Sequence, residues 1–198
     1  MKCLHLFFFL FIGLAQAQNH QGWELKRNKK GIRVYTRLSE GAEIKEYRAQ
    51  MIVKNNPENI KNYILDYDLL TLWNKTIVDY KIIKSADGKE LVYMENEAPW
   101  PLENRDNISE ISLEKLDHGG FKIHINGIVY DSIPFKKDVV RMNNVHGFWE
   151  VKPYENGSMV IQQLYADPGG SIPKSLTNSF IASEAYKAFA DLKEICEQ

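Results

Sequence analysis

The sequence predicts an α+β fold: a curved antiparallel sheet wrapped around a long C-terminal helix, with a short helical region after the third strand. Three observations predict it. Short alternating runs recur along the chain, separated by turns too short for a parallel crossover. The hydrophobic period turns helical after Asn55. The stretch from Lys174 to about Glu194 contains neither proline nor glycine, which suits one long helix.

Taken in order, Trp23-Glu-Leu-Lys and Ile32-Arg-Val-Tyr-Thr are alternating runs around the turn Asn28-Lys-Lys-Gly31. Ile44 to Val53 continue as a strand, with Ile44, Glu46 and Arg48 on one face and Tyr47, Ala49 and Met51 on the other. Asn56 then suits an N-cap and Pro57 the first helical position. Ile60, Ile64, Leu65, Tyr67 and Leu69 follow at helical spacing, to about Trp73. Strands return at Tyr80–Lys84, Leu91–Glu95, Asp106–Leu116, Phe121–Asn126, Val145–Lys152 and Met159–Ala166. Ala86-Asp-Gly88, His118-Gly-Gly120 and Glu155-Asn-Gly157 mark turns between them. In the last helix Ile181, Ala185, Ala188, Leu192 and Ile195 form the more apolar line, beside Leu176, Phe180, Ser183 and Lys187. It alone is long enough to cover the concave face of the sheet.

The chain has 198 residues, 44% of them hydrophobic, which suits one core and one domain. Its 25 basic and 26 acidic residues leave no net field to attract nucleic acid, and no basic patch interleaves with aromatics. Residues 1–17 read as a cleavable signal peptide: Lys2, an apolar run from Leu4 to Leu14, then Ala15-Gln16-Ala17. The run is about eleven residues, against the roughly 20 that span a bilayer. Cleavage after Ala17 leaves a domain over 18–198, placed in the periplasm or secreted. The domain keeps one thiol, Cys196, read as a packing residue or an idle thiol, with no internal disulfide and no cofactor expected. His124 and His146 lack the companions a metal site needs.

Three segments carry more specific information. Ala98-Pro-Trp-Pro-Leu-Glu-Asn-Arg-Asp106 is an ordered loop entering a strand. Gly147-Phe-Trp-Glu-Val-Lys-Pro153 lies within a strand, and Tyr165-Ala-Asp-Pro-Gly-Gly-Ser-Ile-Pro173 joins the last strand to the helix. In this order and on these elements they resemble the START family of lipid-transfer domains, within the Bet v 1-like helix-grip superfamily, over roughly residues 22 to 196. The resemblance is to a compact, bacterial-type secreted member. It implies a helix-grip fold with a largely apolar tunnel between sheet and C-terminal helix. It also implies one bound lipid-like molecule, a monomer, and transient contact with a membrane surface. Burial of each CH₂ is worth about 0.8 kcal/mol, so such a carrier needs shape more than catalytic groups. The chain departs from the family at two points. Some sterol-binding relatives carry a second tunnel-facing arginine six residues after the first, where this chain has Ile111. The long N-terminal helix of many animal members is expected to be absent, since the first strand begins a few residues after the expected cleavage site.

On this resemblance the ligand-binding candidates are Trp73, Trp100, Arg105, Asp106, Trp149, Tyr165, Phe180 and Tyr186. Arg105 and Asp106 either hold a headgroup or fix a loop at a strand start. The tryptophans either line the cavity or fill the core. Asp167 is expected to brace the turn into the helix. The segment around Trp100 and the loop Ile128–Asp138 are expected to form the tunnel mouth. The alternative function is a helix-grip enzyme, cyclase- or hydrolase-like, using the same cavity. Glu95, Glu97, Glu110 and Asp131 are its available carboxylates, but none has a catalytic spacing and no hydrolase or dinucleotide motif occurs. A binding or transfer protein without catalytic residues is the preferred reading.

Overall fold

The computed structural model describes residues 22–84, 88–98, 100 and 102–198. The signal-peptide segment, Pro99, Pro101 and most of the expected turn at 86–88 lie outside them.

The chain enters through β1 (Glu24–Lys29), β2 (Ile32–Arg37) and β3 (Glu46–Val53). Lys30 and Gly31, both at positive φ, make the two-residue loop between β1 and β2, the twist that a tight hairpin needs. The helical region after β3 divides into α1 (Pro57–Leu65) and α2 (Tyr67–Trp73). The side chain of Asn56 accepts from the Asn59 amide and caps α1. Asp66 breaks the expected single helix: its extended backbone ends α1 while its carboxylate accepts from the Asp68 and Leu69 amides to start α2.

Then come β4 (Ile77–Lys84), β5 (Glu90–Asn96), β6 (Asn104–Lys115), β7 (Phe121–Gly127), β8 (Val139–Arg141), β9 (Val145–Tyr154), β10 (Gly157–Ala166) and α3 (Lys174–Cys196). Among the described residues these form one curved ten-stranded sheet, in the order β1-β2-β3-β10-β9-β7-β6-β5-β4. Every pair on that path is antiparallel. β8, which periodicity does not predict, is the exception: it runs parallel to β6, with Val140 beside Arg105 and Arg141 beside Asp106.

Glycine is required at Gly147, inside the second motif. A Cβ there would lie 2.2 Å from the Gln163 carbonyl oxygen of β10. Strand β9 can therefore follow its neighbour closely only without a side chain at this point.

Helix α3 lies across the inner face of β1, β2 and β3 and touches α2. Ala185, Phe189, Leu192 and Cys196 are buried there against Ile32, Val34, Ala49, Met51 and Val53. Cys196 is a packing residue, and burial pushes its thiol up to about 12. Polar ties fix both ends of the helix. Asn178 accepts from the Lys45 amide and donates to the Glu43 carbonyl, and Asn55 donates to the Cys196 carbonyl. No helix among the described residues is long and apolar enough to cross a membrane.

Candidate functional site: a neutral cavity under the terminal helix

A cavity of about 290 Å³ lies between the inner face of the sheet, α1, α2 and Ala188 of α3. Its lining follows from strand alternation: residues at every second position share a face. On β5 these are Val92, Met94 and Asn96, and on β6 they are Asn107, Ser109 and Ile111. Strand β10 adds Gln162, Leu164 and Ala166.

Aromatic contacts fix one wall. Trp149 stacks on Phe189 of α3, ring centroids 5.5 Å apart, and meets Trp73 edge to face at 6.3 Å. The Trp73 indole N–H donates to the Tyr63 carbonyl, so its polar atom is satisfied while its ring faces the cavity.

Two neutral polar pairs interrupt the apolar surface. The Tyr47 hydroxyl donates to Gln162 Oε1 at 2.7 Å, and Asn107 Nδ2 donates to Ser109 Oγ at 2.8 Å. Burial pushes the Tyr47 phenol far above its ordinary value, which keeps it protonated and donating. Among the described residues, no Asp, Glu, Lys, Arg or His side chain lines the cavity.

The eight candidates divide on this geometry. Trp73 and Trp149 line the cavity. Trp100 does not; it is 92% exposed. Phe180 is half exposed near the start of α3, and Tyr186 packs on the edge of the core beneath the Arg27 guanidinium. Tyr165 stacks on His146 at 4.9 Å, on the face opposite the cavity.

Arg105 is buried beside the cavity without lining it. Its Nε donates to the Pro168 carbonyl at 3.4 Å, and its Nη1 donates to the Glu103 carbonyl. The first and third motifs therefore meet: the arginine of one holds the Asp-Pro-Gly-Gly loop of the other. Asp167 braces that loop, accepting from the Gly169 amide and from Lys174. Gly169 and Gly170, both at positive φ, then turn the chain toward α3.

Asp106, next in sequence, points to the opposite face of the sheet. There it pairs with Arg141, through Nε to Oδ1 at 2.7 Å and Nη2 to Oδ2 at 2.9 Å. Arg141 was not legible as a partner, because only the parallel docking of β8 brings it there.

The expected gate at Ile128–Asp138 is corrected by the same alternation. This loop packs on the outer face of the sheet, where Ile128, Tyr130 and Ile133 cover Leu91, Tyr93 and Ile108. Lys136 latches it to Asp79 and Glu95, at 2.7 and 2.8 Å. The candidate carboxylates also lie outside the cavity lining. Glu95 is held by Lys136 and Asn104, Glu110 pairs with Lys89, and Glu97 and Asp131 are exposed.

The latch gives a pH expectation. The Lys136 ammonium, followed by Asn104, holds the Glu95 carboxyl below its ordinary value of 4.5. A depressed carboxyl stabilises the fold fully above that ordinary value, and the contribution is lost as pH falls through the folded value. The protection of the 128–138 amides against hydrogen exchange, relative to the intrinsic rate at each pH, is expected to fall as the pH drops below about 4.5. In Lys136→Met the loop is expected to exchange fast already at neutral pH, with a weaker acid response.

Comparison with known proteins adds four observations. The START domain family model matches residues 14–198. The chain is 26% identical over 181 residues to the phosphatidylcholine transfer protein of Rattus norvegicus, covering 88% of this chain and 84% of that one. It is 26% identical over 187 residues to an uncharacterised protein of Pseudomonas aeruginosa, covering 94% and 92%. Among solved structures, a StAR-related lipid transfer protein from Xanthomonas axonopodis superposes with a TM-score of 0.80 at 29% identity, covering 89% of this chain and 99% of that one.

Proposed function

The chain belongs to the START domain family, and from that premise we propose that it binds a lipid or other apolar small molecule in its internal cavity and carries it through an extracytoplasmic compartment. The observation that carries this reading is the cavity itself. It lies between sheet and terminal helix, is walled by aliphatic and aromatic side chains, and has a few fixed hydrogen-bonding groups. That is the make-up of a small-molecule site, at the lower edge of the usual ~300–1,000 Å³ range. Relatives named as lipid-transfer proteins support the same ligand class. On this reading the chain is a compact, exported, monomeric carrier without a catalytic role. Exposed Trp100 and Phe180 serve transient contact with a membrane surface.

The test is direct. Protein purified from its host is examined by native mass spectrometry and its organic extract analysed. A stoichiometric apolar molecule is the expected result. An empty extract, together with no binding of fluorescent fatty acids or sterols, would sink the proposal. Export predicts a mature N-terminus at Gln18 in the extracytoplasmic fraction; a retained Met1 in the cytosol would refute that part.

Ligand passage is assigned to the hinge that joins β10 to α3. Arg105 holds this hinge closed through Pro168, and the two glycines let it turn. Arg105→Ala is expected to raise the ligand dissociation rate about tenfold, the loss of ~1.4 kcal/mol from one charge-assisted hydrogen bond. Stopped-flow exchange of a fluorescent fatty acid measures it, and an unchanged rate would remove the hinge from the exit route.

A further inference from the structure

We infer that the part of the ligand held inside the cavity is uncharged, and that it carries a hydroxyl or carbonyl group recognised by Asn107–Ser109 or by Gln162. The inference deepens the carrier reading and rests on it. Its basis is the chemistry of the lining. The polar side chains that face the space among the described residues are neutral amides and hydroxyls. A carboxylate, phosphate or quaternary ammonium drawn into this volume would lose its water and find no counter-charge, the least favourable way to bury an ion.

The neutral groups are also left with capacity to bind. Asn107 Nδ2 is spent on Ser109 Oγ, but Asn107 Oδ1 accepts nothing from another described residue. Gln162 Oε1 accepts from Tyr47, but Gln162 Nε2 donates to no described residue. Both side chains belong to buried residues, 9% and 7% exposed, that line the cavity. The site thus offers an unused acceptor and a free hydroxyl proton on β6, and unused amide donors on β10. Those strands are separated in the sheet by β7 and β9, so the two polar points stand on different parts of the curved wall. An alcohol satisfies either point and an ester carbonyl satisfies the second, both without importing a charge.

Neither position 111 nor position 105 brings a charge into the lining. Ile111 stands in the lining, so that point of the wall is aliphatic. The Arg105 guanidinium is turned to the Pro168 and Glu103 carbonyls, where it closes the loop. A zwitterionic lipid of the kind named in the rat relative would therefore have to leave its headgroup outside this space.

Four single-chain probes of one acyl length test the inference on the unaltered mature chain at pH 8: hexadecanol, monopalmitoylglycerol, palmitate and palmitoyl-lysophosphatidylcholine. Quenching or enhancement of tryptophan fluorescence reports binding, because Trp73 and Trp149 line the cavity. The two neutral probes are expected to bind at least about tenfold more tightly than the two charged ones. Equal or tighter binding of palmitate or the lysolipid overturns the inference and leaves the carrier reading standing. Failure of all four overturns both. Ile111→Arg, checked for folding by circular dichroism, is expected to shift the palmitate-to-hexadecanol preference about tenfold toward palmitate. An unchanged ratio in that folded variant counts against the inference.

Discussion

Asp106→Ala is expected to destabilise the fold by about 3–5 kcal/mol, because it strands a buried arginine. Asp106 is 1% exposed and the Arg141 side chain 6%, and they meet through two parallel hydrogen bonds. The guanidinium also donates to the Ile133 and Pro134 carbonyls and lies near the rings of Tyr93 and Phe135. One side chain thereby fixes β8, the 128–138 loop and the start of β6. Removing its carboxylate partner leaves a largely buried cation with two carbonyl acceptors but no counter-charge, which the fold can relieve by releasing the loop. The comparison that identifies the cause is the double variant Asp106→Leu with Arg141→Met. It removes both charges and their desolvation together, so it is expected to recover most of the loss. Urea denaturation of the three proteins decides it. A single-variant loss below about 1 kcal/mol would show that the pair is worth no more than a surface ion pair.

The second large effect concerns binding. Ala188→Trp is expected to weaken lipid binding about 100-fold, equivalent to ~2.8 kcal/mol, while leaving the protein folded. Ala188 faces the cavity from α3, beneath a helix already anchored by Phe189 and Leu192. An indole placed there occupies the space the ligand needs. With only about 290 Å³ available, little room remains beside it. Overpacking costs about 1–3 kcal/mol in a filled core, but here the added ring enters a void. The same probes and tryptophan-independent calorimetry measure the loss. Unchanged affinity would place the ligand elsewhere on the molecule.

Much of the fold was legible because its signals are local. The alternation in Ile32–Thr36 and the turn at Lys30-Gly31 are set by residues within reach of one another. The Asn56 cap before Pro57 and the uninterrupted run from Lys174 are equally local. Asp66 shows where local reading stops: Tyr67 and Leu69 keep the helical period going, while one carboxylate ends one helix and starts the next. The candidate site was legible in part. Trp73 and Trp149, which residue type left between cavity lining and core, line the cavity. Trp100, singled out by the same residue type, stands in solvent.

The residues that reasoning along the chain missed share one feature. Asn107, Ser109 and Gln162 are ordinary polar residues at alternate strand positions, and they become part of the cavity wall only when register turns them inward. Arg141 sits in a three-residue strand that periodicity cannot detect, 35 residues from its partner. Residue type and spacing determined most of the elements and their order, because propensity, capping and turn chemistry act within a few residues. Tertiary structure alone decided which face of each strand meets the cavity and which charges find each other. A shift of one residue in pairing reverses every side chain of a strand, and no local interaction specifies it.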